Sequence, residues 1–215
     1  ITIQYEPLNK NKIMKSTILI LAIFFLLACK ERTNEEDKPY DPQLPPITMV
    51  GANTFGCKIN GVVMVPRNSI GYVPPGSNHY PVIGREGVNS EYLYIQAADL
   101  RETNRGGVFI YLQNTTGATT FQIGDYPIYD GIAPSFFNDN YKNYIYITAY
   151  KNGVPHNYKS IVGSGKITIS KNENSIFSGT FSCKVKNVND ENDIIDITDG
   201  RFDFNKTNMN TTNFP

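Results

Sequence analysis

Tryptophan is absent, histidine occurs twice and cysteine three times, and neither sign of charge is in excess, with 20 basic and 20 acidic side chains. Two histidines fall short of a zinc site, which takes three or four ligands. Balanced charge leaves no long-range field to draw nucleic acid or an acidic lipid surface. Without tryptophan the chain lacks the largest flat ring for stacking on a sugar. Helical spacing of apolar residues at three and four positions is also missing after the first 28 residues, which argues against a helical domain. No Ser-His-Asp or Cys-His arrangement and no nucleotide-binding glycine loop occurs, so no catalytic residue and no cofactor is assigned.

Long apolar runs are scarce too, and the one that exists is informative. Ile18 to Ala28 is uninterrupted, is preceded by Lys10, Lys12 and Lys15, and is stopped by Lys30, Glu31 and Arg32. A basic start followed by an apolar run too short to span a bilayer is the pattern of an export signal. Leu26-Leu27-Ala28-Cys29 closes it and resembles the lipobox of bacterial lipoproteins, in which the cysteine is lipidated and becomes the new N-terminus. Residues 1–28 are therefore expected as the signal peptide, with Met14 as the start, and Cys29 as the lipidation site. Cleavage would leave 17 basic and 19 acidic side chains. Residues 29–50 read as a flexible linker, charged and then rich in proline (Pro39, Pro42, Pro45, Pro46). Lys30 after the cysteine, where an aspartate would resemble an inner-membrane retention signal, points to the outer membrane. Glu35, Glu36 and Asp37 resemble the acidic clusters that send such proteins to the cell surface, with a solvated linker facing the periplasm as the alternative.

Residues 51–204 alternate apolar and polar with period two, which predicts a single all-β domain, and 205–215 reads as a polar tail. Strands are expected at Thr54 to Ile59, Val62 to Val65, Glu91 to Ala98, Gly107 to Gln113, Thr119 to Ile123, Tyr144 to Tyr150, Gly165 to Ser170, Ile176 to Lys186 and Ile194 to Phe204. Asn60-Gly61 and Asn152-Gly153 mark tight hairpins. Apolar parity switches from Ile195 and Ile197 to Phe202 and Phe204 across Asp199-Gly200, which predicts a bulge or turn there. About nine or ten antiparallel strands then close as a β-sandwich or flattened barrel, because one flat sheet of that size would leave an apolar face wet.

The opening Gly51-Ala52-Asn53-Thr54-Phe55-Gly56-Cys57-Lys58-Ile59-Asn60-Gly61, with the closing Ser178-Gly179-Thr180-Phe181 and Ile197-Thr198-Asp199-Gly200-Arg201-Phe202-Asp203, resembles a family of uncharacterised lipoproteins of Gram-negative, Bacteroidota-type bacteria. The likeness brackets nearly the whole domain and implies one domain rather than two. It implies no activity, cofactor or catalytic residue.

Among chemistry-bearing residues, His79 and His156 each sit alone in loop signals. Asp193, Asp196, Asp199 and Asp203 suggest a calcium loop, yet Asn189 to Asp193 lacks the glycine and distal glutamate of the EF-hand pattern. Gly163-Ser164-Gly165-Lys166 is the nearest approach to a phosphate loop but leads into a strand. Neither a metal nor a phosphate site is assigned.

Two features remain. Cys57 and Cys183 are the thiols left once Cys29 is acylated, both follow the apolar parity of their strands, and export places them where disulfides persist, so a bridge between them is expected. Three strands also put aliphatics on one face and aromatics on the other: Leu93, Ile95 and Ala97 against Tyr92 and Tyr94; Val108, Ile110 and Leu112 against Phe109 and Tyr111; Ile145, Ile147 and Ala149 against Tyr144, Tyr146 and Tyr150. That aromatic face is either a binding surface or a second core layer. The loop from Gly124 to Asn143 adds Tyr126, Tyr129, Phe136, Phe137 and Tyr141 among asparagines and aspartates, a mix suited to a sugar or a peptide. The functional expectation is a lipid-anchored envelope protein that binds a glycan, a peptide or an envelope protein without catalysis, the alternative being an accessory subunit of an outer-membrane complex.

Overall fold

The computed structural model describes residues 40–72, 80–101, 106–132 and 142–214. Cys29, the rest of the signal and linker to residue 39, His79, Phe136, Phe137 and Tyr141 lie outside these residues. The domain is all-β: one antiparallel sheet of 11 strands that is not closed into a barrel. The strands are β1 Thr54–Ile59, β2 Val62–Met64, β3 Val82–Glu86, β4 Tyr92–Ala98, β5 Gly107–Gln113, β6 Gly124–Pro127, β7 Tyr144–Lys151, β8 Val154–Ser160, β9 Lys166–Glu173, β10 Ile176–Asn187 and β11 Ile194–Asn205. Their order across the sheet is β2-β1-β11-β10-β8-β7-β5-β4-β3, and β9 and β6 branch off β10.

The branch arises because β10 is longer than either neighbour. Its first part, Ile176 to Ser182, pairs with β9, and its last part, Val185 to Asn187, pairs with β8. The sheet curls around a single core in which Phe55, Phe181, Phe202 and Phe204 of one side meet Leu93, Ile110 and Ile145 of the other. Residues of alternate parity supply this core, as period-two patterning requires. β11 carries one extra residue at Asp199-Gly200: Gly56 pairs with Arg201 while Lys58 pairs with Thr198, and Asp199 has φ 54. That bulge carries Ile195, Ile197, Phe202 and Phe204 into the same core despite their change of parity.

Several expectations need correction. Thr119 to Ile123 is not a strand; Phe121 alone is drawn into the core at 2% exposure, and the strand begins afterwards at Gly124. β3 escaped notice because Gly84 interrupts its alternation, and β8 because Val-Pro-His-Asn-Tyr-Lys-Ser is mostly polar. The linker ends earlier than residue 50, since the folded unit runs from Pro42 to Pro215. Pro45 lies against Gly56, where an added Cβ would meet its ring at 2.8 Å, and Arg201 Nη1 donates to the Pro45 carbonyl.

The polar tail also belongs to the fold. Met209 and Phe214 are buried, and the Asn210 side chain both donates to and accepts from the backbone of Gly84 on edge strand β3, at 3.0 and 2.7 Å. Asn53 Nδ2 donates to Asn208 and Thr212, and Phe214 N donates to Asn68. The tail therefore fills the opening between the β1–β2 edge and the β3 edge, protecting strand edges that would otherwise invite pairing.

The Cys57–Cys183 disulfide is not formed; both cysteines are free and buried. β11 lies between β1 and β10, and Cys183 is in register with Ile59 rather than Cys57, so the two cysteines are more than two strand spacings apart, over about 9 Å, beyond the roughly 7 Å that a bridge tolerates. Burial pushes the Cys57 thiol far up and the Cys183 thiol to about 12, which leaves both unreactive as thiols. Denatured protein that has never met a reductant is therefore expected to take up an alkylating agent at both positions, and native protein at neither. Mass spectrometry of the alkylated peptides reads this, and a linked Cys57–Cys183 peptide would refute it.

Candidate functional site

The aromatic residues do share the face opposite the aliphatic core, and they form a cluster of their own. Tyr94 stacks on Phe109 at 5.4 Å, Phe109 meets Tyr144 at 5.9 Å, Tyr144 stacks on Tyr111 at 5.3 Å, and Tyr111 on Tyr92 at 6.0 Å. These are the spacings that rings on neighbouring strands adopt when they turn to offset stacking. Tyr94, Phe109, Tyr111 and Tyr144 are 8, 7, 7 and 1% exposed, with Ile83, Tyr92 and Tyr146 half-buried around them. Of the two readings of this face, the burial of these four rings favours a second core layer, with Tyr92 and Tyr146 at its margin. Burial also raises the Tyr146 phenol above its ordinary range.

A cleft of about 340 Å³ lies instead at the fork of the sheet, within the small-ligand range of roughly 300 to 1,000 Å³. One wall is β6 and the residues before it, Gln122 to Pro127; the other is the end of β5 with Gln113, Thr115 and Thr116, and the start of β7 with Lys142 and Asn143. The fork is held at its base by Asn143. Its Oδ1 accepts from Gln113 N, its Nδ2 donates to the Pro127 carbonyl, and its own carbonyl accepts from Tyr129 N. Ser160 adds a second tie, donating to the Tyr129 carbonyl and accepting from Ile145 N.

Aromatic and polar groups line the cleft together. Tyr126 packs against Phe121 and donates to the Gln122 carbonyl at 2.8 Å; Lys142 Nζ sits 4.7 Å above the Tyr129 ring. Asp125 is held by Lys166 and Thr168, both at 2.6 Å, and the lysine bond first, then the threonine bond, lower its carboxyl below the ordinary range. Tyr126 and Tyr129 were legible in the sequence as members of the Gly124 to Asn143 loop. Gln113, Thr115 and Thr116 were not, because they reach the cleft only through pairing of β5 with β7.

The other candidates are dispersed. Asp193 accepts from Lys151, Tyr158 and Asn187, and these bonds, the lysine's largest, hold its carboxyl at about 2. Asp196 pairs with Lys184 and Asp199 with Lys58, while Asp203 is buried elsewhere along β11. The four aspartates therefore do not converge on a cation, and no group of three or more metal-ligating side chains occurs among the described residues. His156 lies beside Asn187, Nδ1 to Nδ2 3.3 Å. In Gly163 to Lys166, Ser164 Oγ bonds Ile161 and Lys184 backbone groups, the chemistry of a turn between β8 and β9.

Comparison with protein-family models, with curated proteins and with solved structures finds no match for this chain.

Proposed function

We propose that the chain is an exported lipoprotein of the outer membrane, held by lipid on Cys29, whose β domain is a binding module that takes its ligand in the cleft between β6 and the β5–β7 ends. The single observation that carries the anchoring is Leu26-Leu27-Ala28-Cys29 at the end of an export-type apolar run. Cys29 to Pro42 gives the anchor a reach of up to roughly 40 Å at about 3.3 Å per residue. Binding rather than turnover is supported by the way the charged groups are used: Asp125, Asp193, Asp196 and Asp199 are each engaged by a lysine at 2.6 to 2.8 Å, a structural role. The cleft's mixture of tyrosine, amide and hydroxyl groups suits a polar ligand.

Labelling cells with radioactive palmitate tests the anchor. The wild-type protein is expected to carry label and Cys29→Ala to lose it entirely, accumulating as an uncleaved precursor. Label persisting in Cys29→Ala, or absent from the wild type, would refute lipidation at this cysteine.

A further inference from the structure

β6 is an edge strand inside a cleft, and its exposed edge has a defined chemistry. Gly124 pairs with Ile169, Asp125 with Thr168, Tyr126 with Ile167 and Pro127 with Lys166. Ile128 N donates to the Gly165 carbonyl, so the ladder bonds belong to the even-numbered residues. The N–H and C=O groups of the odd-numbered residues consequently point away from β9. Pro127 obeys this, since its outward carbonyl is taken by Asn143 Nδ2 at 3.1 Å. Asp125 also points its backbone N–H and C=O outward, with no hydrogen-bond partner among the described residues, and the Ile123 carbonyl, on the same trans peptide as the Gly124 N–H that faces β9, points outward with them. Pro127 itself donates nothing, which ends the free edge at the base of the fork.

Opposite this edge stand Gln113, Thr115, Thr116 and Lys142. Gln113 Oε1 accepts from Tyr111 at 2.8 Å, and its amide nitrogen has no partner among the described residues. A backbone edge with an outward donor and acceptor, faced by polar side chains across a cleft, is the arrangement that takes an extended peptide. We infer that the ligand of the cleft is a short extended segment of another protein, which adds as a strand to β6 through Ile123 and Asp125, its side chains meeting Gln113 and Lys142. This deepens the binding reading and rests on it.

The test uses the full lipidated chain in detergent micelles, a displayed library of random peptides of about ten residues, and a panel of neutral and acidic oligosaccharides. A selected peptide is then N-methylated one residue at a time. Strand addition predicts that methylation at alternate positions weakens binding at least about tenfold and that the intervening positions tolerate it. Asp125→Pro, which removes the outward backbone N–H, should lose binding by a similar factor. The peptide scan needs no protein variant and so stands even where the proline disturbs folding. Peptides whose binding shows no alternation, or none selected while an oligosaccharide is retained, would overturn strand addition and leave the binding reading standing. Retention of neither class would overturn both.

Discussion

Asp203→Ala is expected to lower the unfolding free energy by about 3 to 5 kcal/mol. The carboxylate is 1% exposed, yet it accepts five hydrogen bonds: Thr48 Oγ1 at 2.6 Å, Val50 N at 3.0 Å, Gly51 N at 2.8 Å, Ala52 N at 3.2 Å and Ser178 Oγ at 2.6 Å. It fastens the chain entering β1 to β10 and β11, and Gly51, at φ +75, makes the turn that aims three consecutive amides at it. Truncation leaves the buried Ser178 hydroxyl without its acceptor, at a cost of about 1 to 3 kcal/mol, and releases four part-buried donors that each cost less because water can reach them. For a domain of this size such a loss lowers Tm by roughly 6 to 20 °C. Urea unfolding measures it, and amide exchange at Val50, Gly51 and Ala52 should accelerate at the same time. A variant within about 1 kcal/mol of wild type would show that the segment is not held by Asp203.

The same residue makes stability depend on acid. Burial by itself would push the carboxyl up, but the bonds from Ser178, Thr48, Gly51 and Val50 outweigh it and hold it at about 2, against about 3.9 in an unfolded chain. A depressed value means that the contribution is complete above about pH 4 and is lost as pH falls toward 2. About two pKa units correspond to roughly 2.6 kcal/mol. Asp203→Asn should flatten this part of the stability profile; an unchanged slope between pH 4 and 2 would assign the acid sensitivity to other groups.

Asp99→Ala is expected to cost about 3 to 5 kcal/mol by a different mechanism. Arg67 follows β2 and Asp99 follows β4, and their backbones form a parallel bridge, with Leu100 N donating to the Arg67 carbonyl at 2.9 Å. Arg67 Nε and Nη2 both reach Asp99 Oδ2, at 3.0 and 2.5 Å, with side-chain exposures of only 6 and 11%. The pair ties the chain after β2 to the chain after β4. Removing the carboxylate strands a buried guanidinium without this counter-charge, whereas replacing both partners by apolar residues removes the charge problem together with the bond. The double variant Arg67→Met/Asp99→Leu should therefore unfold within about 1.5 kcal/mol of wild type. Equal destabilisation in the single and double variants would mean that the backbone bridge, not the charge pair, is what matters.

Much of the fold was legible along the chain because side-chain alternation is a local property. The period-two pattern placed Leu93, Ile95, Val108, Ile110, Ile145 and Ile147 in the core and the rings of β4, β5 and β7 on the other face. The parity change at Asp199-Gly200 located the bulge, since a flip of face must be absorbed by an extra residue. Turn chemistry likewise marked the hairpins at Asn60-Gly61 and Asn152-Gly153.

What alternation cannot encode is which distant strand becomes a neighbour. β11 comes to lie between β1 and β10, which separates Cys57 from Cys183 although both point inward. The linker end, through Thr48 and Pro45, and the tail, through Asn210 and Phe214, look polar or unpatterned in sequence, yet they are bound across the fold by partners more than 100 residues away. The cleft exists only because β10 outruns β8 and is taken over by β9, a consequence of strand lengths meeting across the sheet. By itself the sequence settled which residues of the recognised strands share a face, because that follows from the covalent alternation of the strand; only tertiary pairing decided what those faces meet and which of them are buried, because it is chosen by contacts that no local pattern carries.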